Sequence, residues 1–152
     1  MTELALPDQE ATERLGRAVA ARLRAGEAVC LYGPLGAGKS TLARALVRAL
    51  TDAAAEVPSP TFTLVQTYEG QDFPIAHFDL YRLERPEDAY EIGLDEALEA
   101  GAVVIEWPER LGQALPPDRL TIHLAFGESD GARTVRTLGT GAWSGRDRFD
   151  HS

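Results

Sequence analysis

The stretch Ala28-Val29-Cys30-Leu31-Tyr32-Gly33-Pro34-Leu35-Gly36-Ala37-Gly38-Lys39-Ser40 decides the fold. Its first five residues are apolar and sit between Glu27 and Gly33, which suits a short strand buried on both faces. Residues 33–40 then match the pattern G-x-x-x-x-G-K-[ST]. Residues 40–50 read as a helix, with Leu42, Leu46 and Leu50 on one face. Strand, glycine-rich turn and helix in that order build a cradle for an anion. Glycines let successive amides point inward where side chains would obstruct a phosphate, and the helix aims its positive end at the same place. In such a loop Lys39 reaches the β- and γ-phosphates of a nucleoside triphosphate, and the Ser40 hydroxyl ligates magnesium.

The basic residues sharpen this reading. Of the 15 lysines and arginines, Lys39 is the only lysine. A coding preference for arginine accounts for the ratio, but not for the place where lysine is kept. A ring of backbone amides leaves room for a slim ammonium and not for a planar guanidinium. The net charge of -9 repels phosphate backbones at long range, so tight nucleic-acid binding by this chain alone is not expected. One cysteine, Cys30, excludes an intrachain disulfide and a cysteine-based zinc site. No segment approaches the roughly 18 apolar residues of a membrane helix, and residues 1–8 lack the basic start and apolar stretch of a secretory signal. No membrane partner and a cytosolic location are the expectations.

Outward from the loop, the pattern predicts a single α/β domain over residues 1–138. Its sheet is expected to be mixed and mainly parallel, flanked by helices, with antiparallel strands from hairpins. Residues 8–25 read as a helix with Ala11, Leu15, Ala18, Val19 and Leu23 at helical spacing, Asp8 as its cap and Gly26 as its stop. Residues 62–68 and 73–79 read as a hairpin, with Pro74 suggesting an edge position. Residues 86–92 and 95–99 read as helical pieces, and 102–106 as a second buried strand. Residues 119–126 alternate, with Leu120, Ile122, Leu124 and Phe126 on one face, and turn back into 132–138. The polar, glycine-rich residues 139–152 read as a mobile tail.

Magnesium needs further oxygen ligands. Asp79 and Glu106 each end a predicted strand, and strands of this fold class end near the phosphates. A carboxylate at a strand end is also an ordinary surface feature, and both readings stand at this point. Thr61 and Thr63 follow the Pro58-Ser59-Pro60 linker, where a hydroxyl could sense a γ-phosphate, although threonine also simply favours strands. Trp107 reads as a packing residue or a partner contact. His77 reads as structural, because nothing nearby in sequence completes a metal or nucleophile set.

Several segments taken together carry a resemblance. Ser59-Pro60-Thr61-Phe62-Thr63-Leu64-Val65, His77-Phe78-Asp79-Leu80-Tyr81-Arg82-Leu83, Glu106-Trp107-Pro108-Glu109 and the loop Leu35-Gly36-Ala37-Gly38-Lys39-Ser40-Thr41 resemble the TsaE family, also called YjeE. The match runs from about residue 7 to about residue 138. The resemblance implies a magnesium-dependent ATPase with slow turnover, required for N6-threonylcarbamoylation of adenosine 37 in tRNAs that read codons beginning with A. It implies TsaD and TsaB as partners, with tRNA met only through that complex. Carried over, residues 33 and 35–41 (Thr41 included) hold ATP, Ser40 and Glu106 bind magnesium, and Asp79 is the Walker B-like acid. Thr61 sits in a switch segment. Gln9 and Thr12 lie by the adenine, and Arg133 approaches the nucleotide. Pro34 stands where the family often has an acid, and Phe62 where tyrosine is usual.

A regulatory GTPase is excluded by the single lysine, since guanine recognition in that class needs an N-K-x-D motif. A small-molecule kinase would recruit Arg82, Arg85 or Arg110 to a lid, but a hairpin over 62–79 is not expected there. The lone lysine yields a direct test. Lys39→Ala should remove most triphosphate affinity, and Lys39→Arg should also bind poorly because the fork does not fit the loop. Calorimetry with a slowly hydrolysed ATP analogue reads both; normal binding by Lys39→Arg would end the argument from the lysine.

Overall fold

The computed structural model describes residues 2–51 and 64–149. Seven strands form one sheet: β1 (Thr2–Leu6), β2 (Ala28–Tyr32), β3 (Val65–Tyr68), β4 (Ile75–Asp79), β5 (Ala102–Glu106), β6 (Arg119–Phe126) and β7 (Arg133–Thr140). Their spatial order is β1-β7-β6-β2-β5-β4-β3. The four central strands, β6, β2, β5 and β4, run parallel. Antiparallel pairing is confined to the two sides, β7 and β1 beyond β6 and β3 beyond β4. The mixed sheet and both hairpins agree with the sequence reading, and parallel pairing holds its centre.

Helices cover both faces, so β2 and β5 are buried along most of their length and need no alternation. On one face lie α1 (Gln9–Arg22) and α2 (Lys39–Leu50), packed with Val29, Leu31, Val104, Leu120, Ile122 and Leu124. On the other lie α3 (Asp88–Glu91) and α4 (Leu94–Ala100), over Cys30, Phe78, Val103 and Ile105. Asp8 caps α1 as expected, its carboxylate accepting the Ala11 amide at 2.9 Å. The helix itself ends at Arg22, earlier than Gly26 suggested. Close contact of α1 with α2 rests on Gly16, where a Cβ would stand 2.8 Å from the Leu42 carbonyl oxygen. No helix among the described residues is long and apolar enough to cross a membrane.

Three differences from the sequence reading have physical causes. First, β4 is not an edge strand: it lies between β5 and β3. Pro74 precedes the strand and contributes its carbonyl, which accepts the Ala102 amide at 3.1 Å, so the missing N–H breaks no ladder bond. Second, β1 mixes Thr2 and Glu3 with only three apolar residues, a weak signal by itself, and forms by pairing with β7, more than a hundred residues away. Third, the segment after Gly139 is packed and not a loose tail over its described part. Trp143 is wholly buried in the α1–α2 core, and Phe149 is buried beside it. Arg146 donates to both carboxylate oxygens of Glu27, at 2.8 and 3.2 Å. Arg22 donates to the carbonyls of Arg146 and Arg148 and lies 4.2 Å over the Phe149 ring. Two apolar anchors and two arginine clamps override the polar composition around them.

Trp143→Ala should therefore destabilise the fold by about 3–5 kcal/mol, the usual cost of emptying a large aromatic site. Urea unfolding of the two proteins measures it. A loss below about 1 kcal/mol would return the segment to the status of a tail.

Candidate functional site

The parallel strands β2, β4 and β5 all end at one edge of the sheet, and the glycine-rich loop leaves β2 there. Gly33 has φ 147, and a Cβ on it would stand 2.7 Å from the Leu124 carbonyl oxygen, so both conformation and space select glycine. Gly38, at φ 104, is the residue from which α2 starts, with no side-chain cap competing for the first amides. Arg133 holds the loop from β7. Its guanidinium donates to the carbonyls of Ala37 at 3.0 Å and Gly36 at 3.1 Å and lies 5.0 Å from the Phe126 ring. Turning these two carbonyls toward arginine helps to leave the loop's amides free to face a ligand.

Lys39 is buried, and its Nζ donates to the Gly33 carbonyl at 2.5 Å. The same Nζ sits 3.3 Å from the centroid of the Trp107 ring. Burial pulls the Lys39 ammonium below its ordinary value, while the charges of Glu106, Glu109 and Asp79 hold it up. Trp107 reaches this place because its backbone turns left-handed, at φ 61, as β5 ends, and its ring meets Tyr81 at 5.0 Å.

Asp79 and Glu106 are cross-strand partners in the β4–β5 register, so the structure brings both candidate acids to the loop. The Ser40 hydroxyl donates to Glu106 Oε1 at 3.1 Å. Burial pushes the Asp79 carboxyl up; the Tyr81 amide, bonded at 3.1 Å, opposes this, and the Glu106 charge adds to it. Among the described residues no three His, Cys, Asp or Glu side chains form a metal cage. The donor set of Ser40, Glu106 and Asp79 is all oxygen, which suits a hard cation that completes its shell from ligand and water. Two oxygens bound side by side on an octahedral ion at about 2.1 Å lie about 3 Å apart. The spacing of Ser40 Oγ and Glu106 Oε1 fits that.

Two cavities flank the loop. One, of about 230 Å³, is lined by Gln9, Thr12, Gly36, Gly38, Thr41 and Arg133, among others, and so unites the residues expected near the base. The other, of about 190 Å³, lies between Leu35, Leu64, Asp79, Tyr81, Arg82 and Trp107. Thr61 and Thr63 lie outside the described residues. Two contacts at the site escaped the sequence reading. Trp107 is not merely packing, since it faces Lys39. His77, read as structural, bonds Glu106 at 2.6 Å. The signal for the latter was present: residues 77 and 79 share one face of β4.

A glycine-rich loop between a central parallel strand and a helix, with two acids at the neighbouring strand ends, places this chain in the P-loop NTPase-like class of α/β domains. Comparison with known proteins narrows the class. The family model described as "Threonylcarbamoyl adenosine biosynthesis protein TsaE" matches residues 6–135. Relatives bearing the name tRNA threonylcarbamoyladenosine biosynthesis protein TsaE include one from Rickettsia felis, 39% identical over 80% of this chain and 71% of its own length. Others are from Nostoc, 38% identical over 88% and 83%, and from Streptomyces coelicolor, 41% identical over 80% and 84%. Among solved structures, the crystal structure of Bacillus subtilus YdiB aligns with a TM-score of 0.77 at 26% identity, covering 95% of this chain and 89% of that one. The chain belongs to the TsaE family, whose members are named for tRNA threonylcarbamoyladenosine biosynthesis.

The Arg133 clamp can be tested without any ligand. Arg133→Ala should raise amide hydrogen exchange in the loop peptide about tenfold or more, because two bonds to a charged donor, each worth about 1.5–3 kcal/mol, are lost. Unchanged exchange would show that the loop holds its shape without arginine.

Proposed function

We propose that this protein is a magnesium-dependent ATPase that supports N6-threonylcarbamoylation of adenosine 37 in tRNAs reading codons that begin with A, acting in a complex with TsaD and TsaB. The observation that carries the ATPase part is the Lys39–Ser40–Glu106 arrangement on the loop, with Asp79 beside it. The membership of the family supports the tRNA pathway.

In this reading the loop amides and the α2 N-terminus bind the β-phosphate. Lys39 exchanges its contact with Gly33 for the β- and γ-oxygens and neutralises charge that builds up during phosphoryl transfer. Gln9, Thr12 and Arg133 border the cavity that takes the nucleoside. Ser40 and Glu106 hold magnesium, with Asp79 beside them orienting water or metal; the ion supplies charge neutralisation on the phosphate oxygens. Thr61 and its neighbours, by the resemblance, belong to the segment that responds to the γ-phosphate.

Magnesium and ATP are thus the expected cofactors. A partner-dependent role follows from size and charge. The domain has little room for a second substrate beside the nucleotide, and a net charge of -9 disfavours phosphate backbones. Other subunits would hold the tRNA. The exposed Leu35 and half-exposed Tyr81 at the mouth of the site suit a protein contact.

Glu106→Ala should lower ATP turnover by about 100-fold while changing the affinity for an ATP analogue by less, since the carboxylate acts most strongly as charge moves. Asp79→Ala should behave similarly. For the pathway, the purified chain is mixed with TsaB, TsaD, the activated threonylcarbamoyl donor and tRNA, and repeated modification cycles are followed. Modification should stall when this chain or ATP is omitted. Equal cycling without them would overturn the assignment.

A further inference from the structure

We propose that His77 is a positioning residue for the magnesium site, holding the Glu106 carboxylate so that Oε1 is presented to Ser40. The inference rests on the magnesium-binding role of Glu106 proposed above and adds a residue that role does not name. His77 and Asp79 alternate along β4, and the parallel register sets them opposite Val104 and Glu106 of β5. All four therefore project from the same face of the sheet, the face that α2 covers. His77 Nε2 and Glu106 Oε2 are 2.6 Å apart, and both side chains are almost sealed from water. On the other carboxylate oxygen, Ser40 donates at 3.1 Å.

The direction of the histidine bond follows from its surroundings. A carboxylate oxygen accepts, so Nε2 must donate. Nδ1 is buried with no hydrogen-bond partner among the described residues. A proton on Nδ1 instead would bury an N–H without an acceptor and set a bare Nε2 lone pair against a carboxylate, two faults at once. The ring therefore carries its proton on Nε2. A ring kept only to fill space would gain nothing from the proton or the short contact, and would bring with it a buried nitrogen that an apolar ring lacks.

The mechanical consequence concerns rotation. The last torsion of a glutamate is broad and roughly two-fold, so one tether leaves the carboxylate free to turn. With Oε2 fixed by His77, Oε1 stays toward Ser40 whether the Ser40 hydroxyl donates to it or both oxygens turn to a cation. Groups that orient a metal ligand in this way commonly contribute roughly 10- to 100-fold in metal affinity.

The test uses the full chain and three variants: His77→Gln, whose amide nitrogen reaches about as far as Nε2 and can donate; His77→Asn, whose amide stops near the Nδ1 position; and His77→Phe, which fills the space without a donor. ADP affinity is measured by calorimetry with and without magnesium, and thermal unfolding confirms that each variant folds. In the wild type, magnesium should tighten ADP binding. Asn and Phe should lose roughly 10- to 100-fold of the magnesium affinity measured with ADP and keep metal-free ADP affinity within about threefold, while Gln recovers most of the loss. Nitrogen NMR on the wild type should find the ring proton on Nε2. Full magnesium affinity in both Asn and Phe would overturn the role of His77 while the wild-type response left Glu106 in place. A wild type indifferent to magnesium would overturn the site reading and this role with it. If Asn and Phe do not fold, the NMR measurement decides: a proton on Nε2 supports the proposal and one on Nδ1 ends it.

Discussion

A lysine ammonium sealed beneath a loop is the constraint around which the rest of this domain is arranged. Lys39 is too buried to be solvated by water, so its charge needs partners of another kind. The Gly33 carbonyl, the Trp107 ring face and the nearby carboxylates of Glu106, Asp79 and Glu109 supply them. Each partner imposes something on the chain. Gly33 must be glycine because Leu124 crowds it. Trp107 must leave β5 in a left-handed turn to bring its ring around. Glu106 and Asp79 must come from adjacent strands in the right register. The mixed sheet is the device that meets these conditions together, because parallel strands end on one side and can deliver a loop and two acids to the same point.

Burial also explains the balance of charge at the site. The ammonium is surrounded by acids, yet those acids are themselves close to one another, and burial raises the Asp79 carboxyl. A cation arriving between Ser40 and Glu106 would relieve the crowding of negative charge, and phosphate arriving at Lys39 would relieve the desolvation of the ammonium. Nucleotide and metal would then stabilise each other's binding through shared electrostatics, without large movement of the sheet.

Much of this was legible in sequence because it is local. The β2 strand, the loop and α2 follow one another without interruption, and β5 with Glu106 is a single apolar run ending in an acid. The strand limits of β5 and β6 could be read from apolar runs and alternation alone. What was not legible depends on distant pairing. Nothing in Thr2–Leu6 announces a strand until β7 lies beside it. Trp107 and His77 read as ordinary residues because their partners, Lys39 and Glu106, are 68 and 29 positions away. Phe126, expected on the buried face of β6, is instead exposed where the strand outruns its cover. The segment after Gly139 misled by composition: Trp143 and Phe149 are two apolar residues in a polar stretch, and only the arginines of α1 and of the segment itself show why both are inside.

The packing of that segment has a consequence for how the chain could be rewired. Thr2, at the start of β1, donates its hydroxyl to the Asp147 carbonyl at 2.8 Å, so the first and last described parts of the backbone lie side by side. They meet in the neighbourhood of Glu27 and the end of α1, which is the opposite end of β2 from the glycine-rich loop. A short peptide bridge could therefore join the backbone at Thr2 to that near Asp147, with new termini opened in the exposed turn between β6 and β7 near Asp130. Such a circular permutant would keep every sheet neighbour in place while bringing its free ends out beside Arg133, within reach of the glycine-rich loop, where a reporter could be attached.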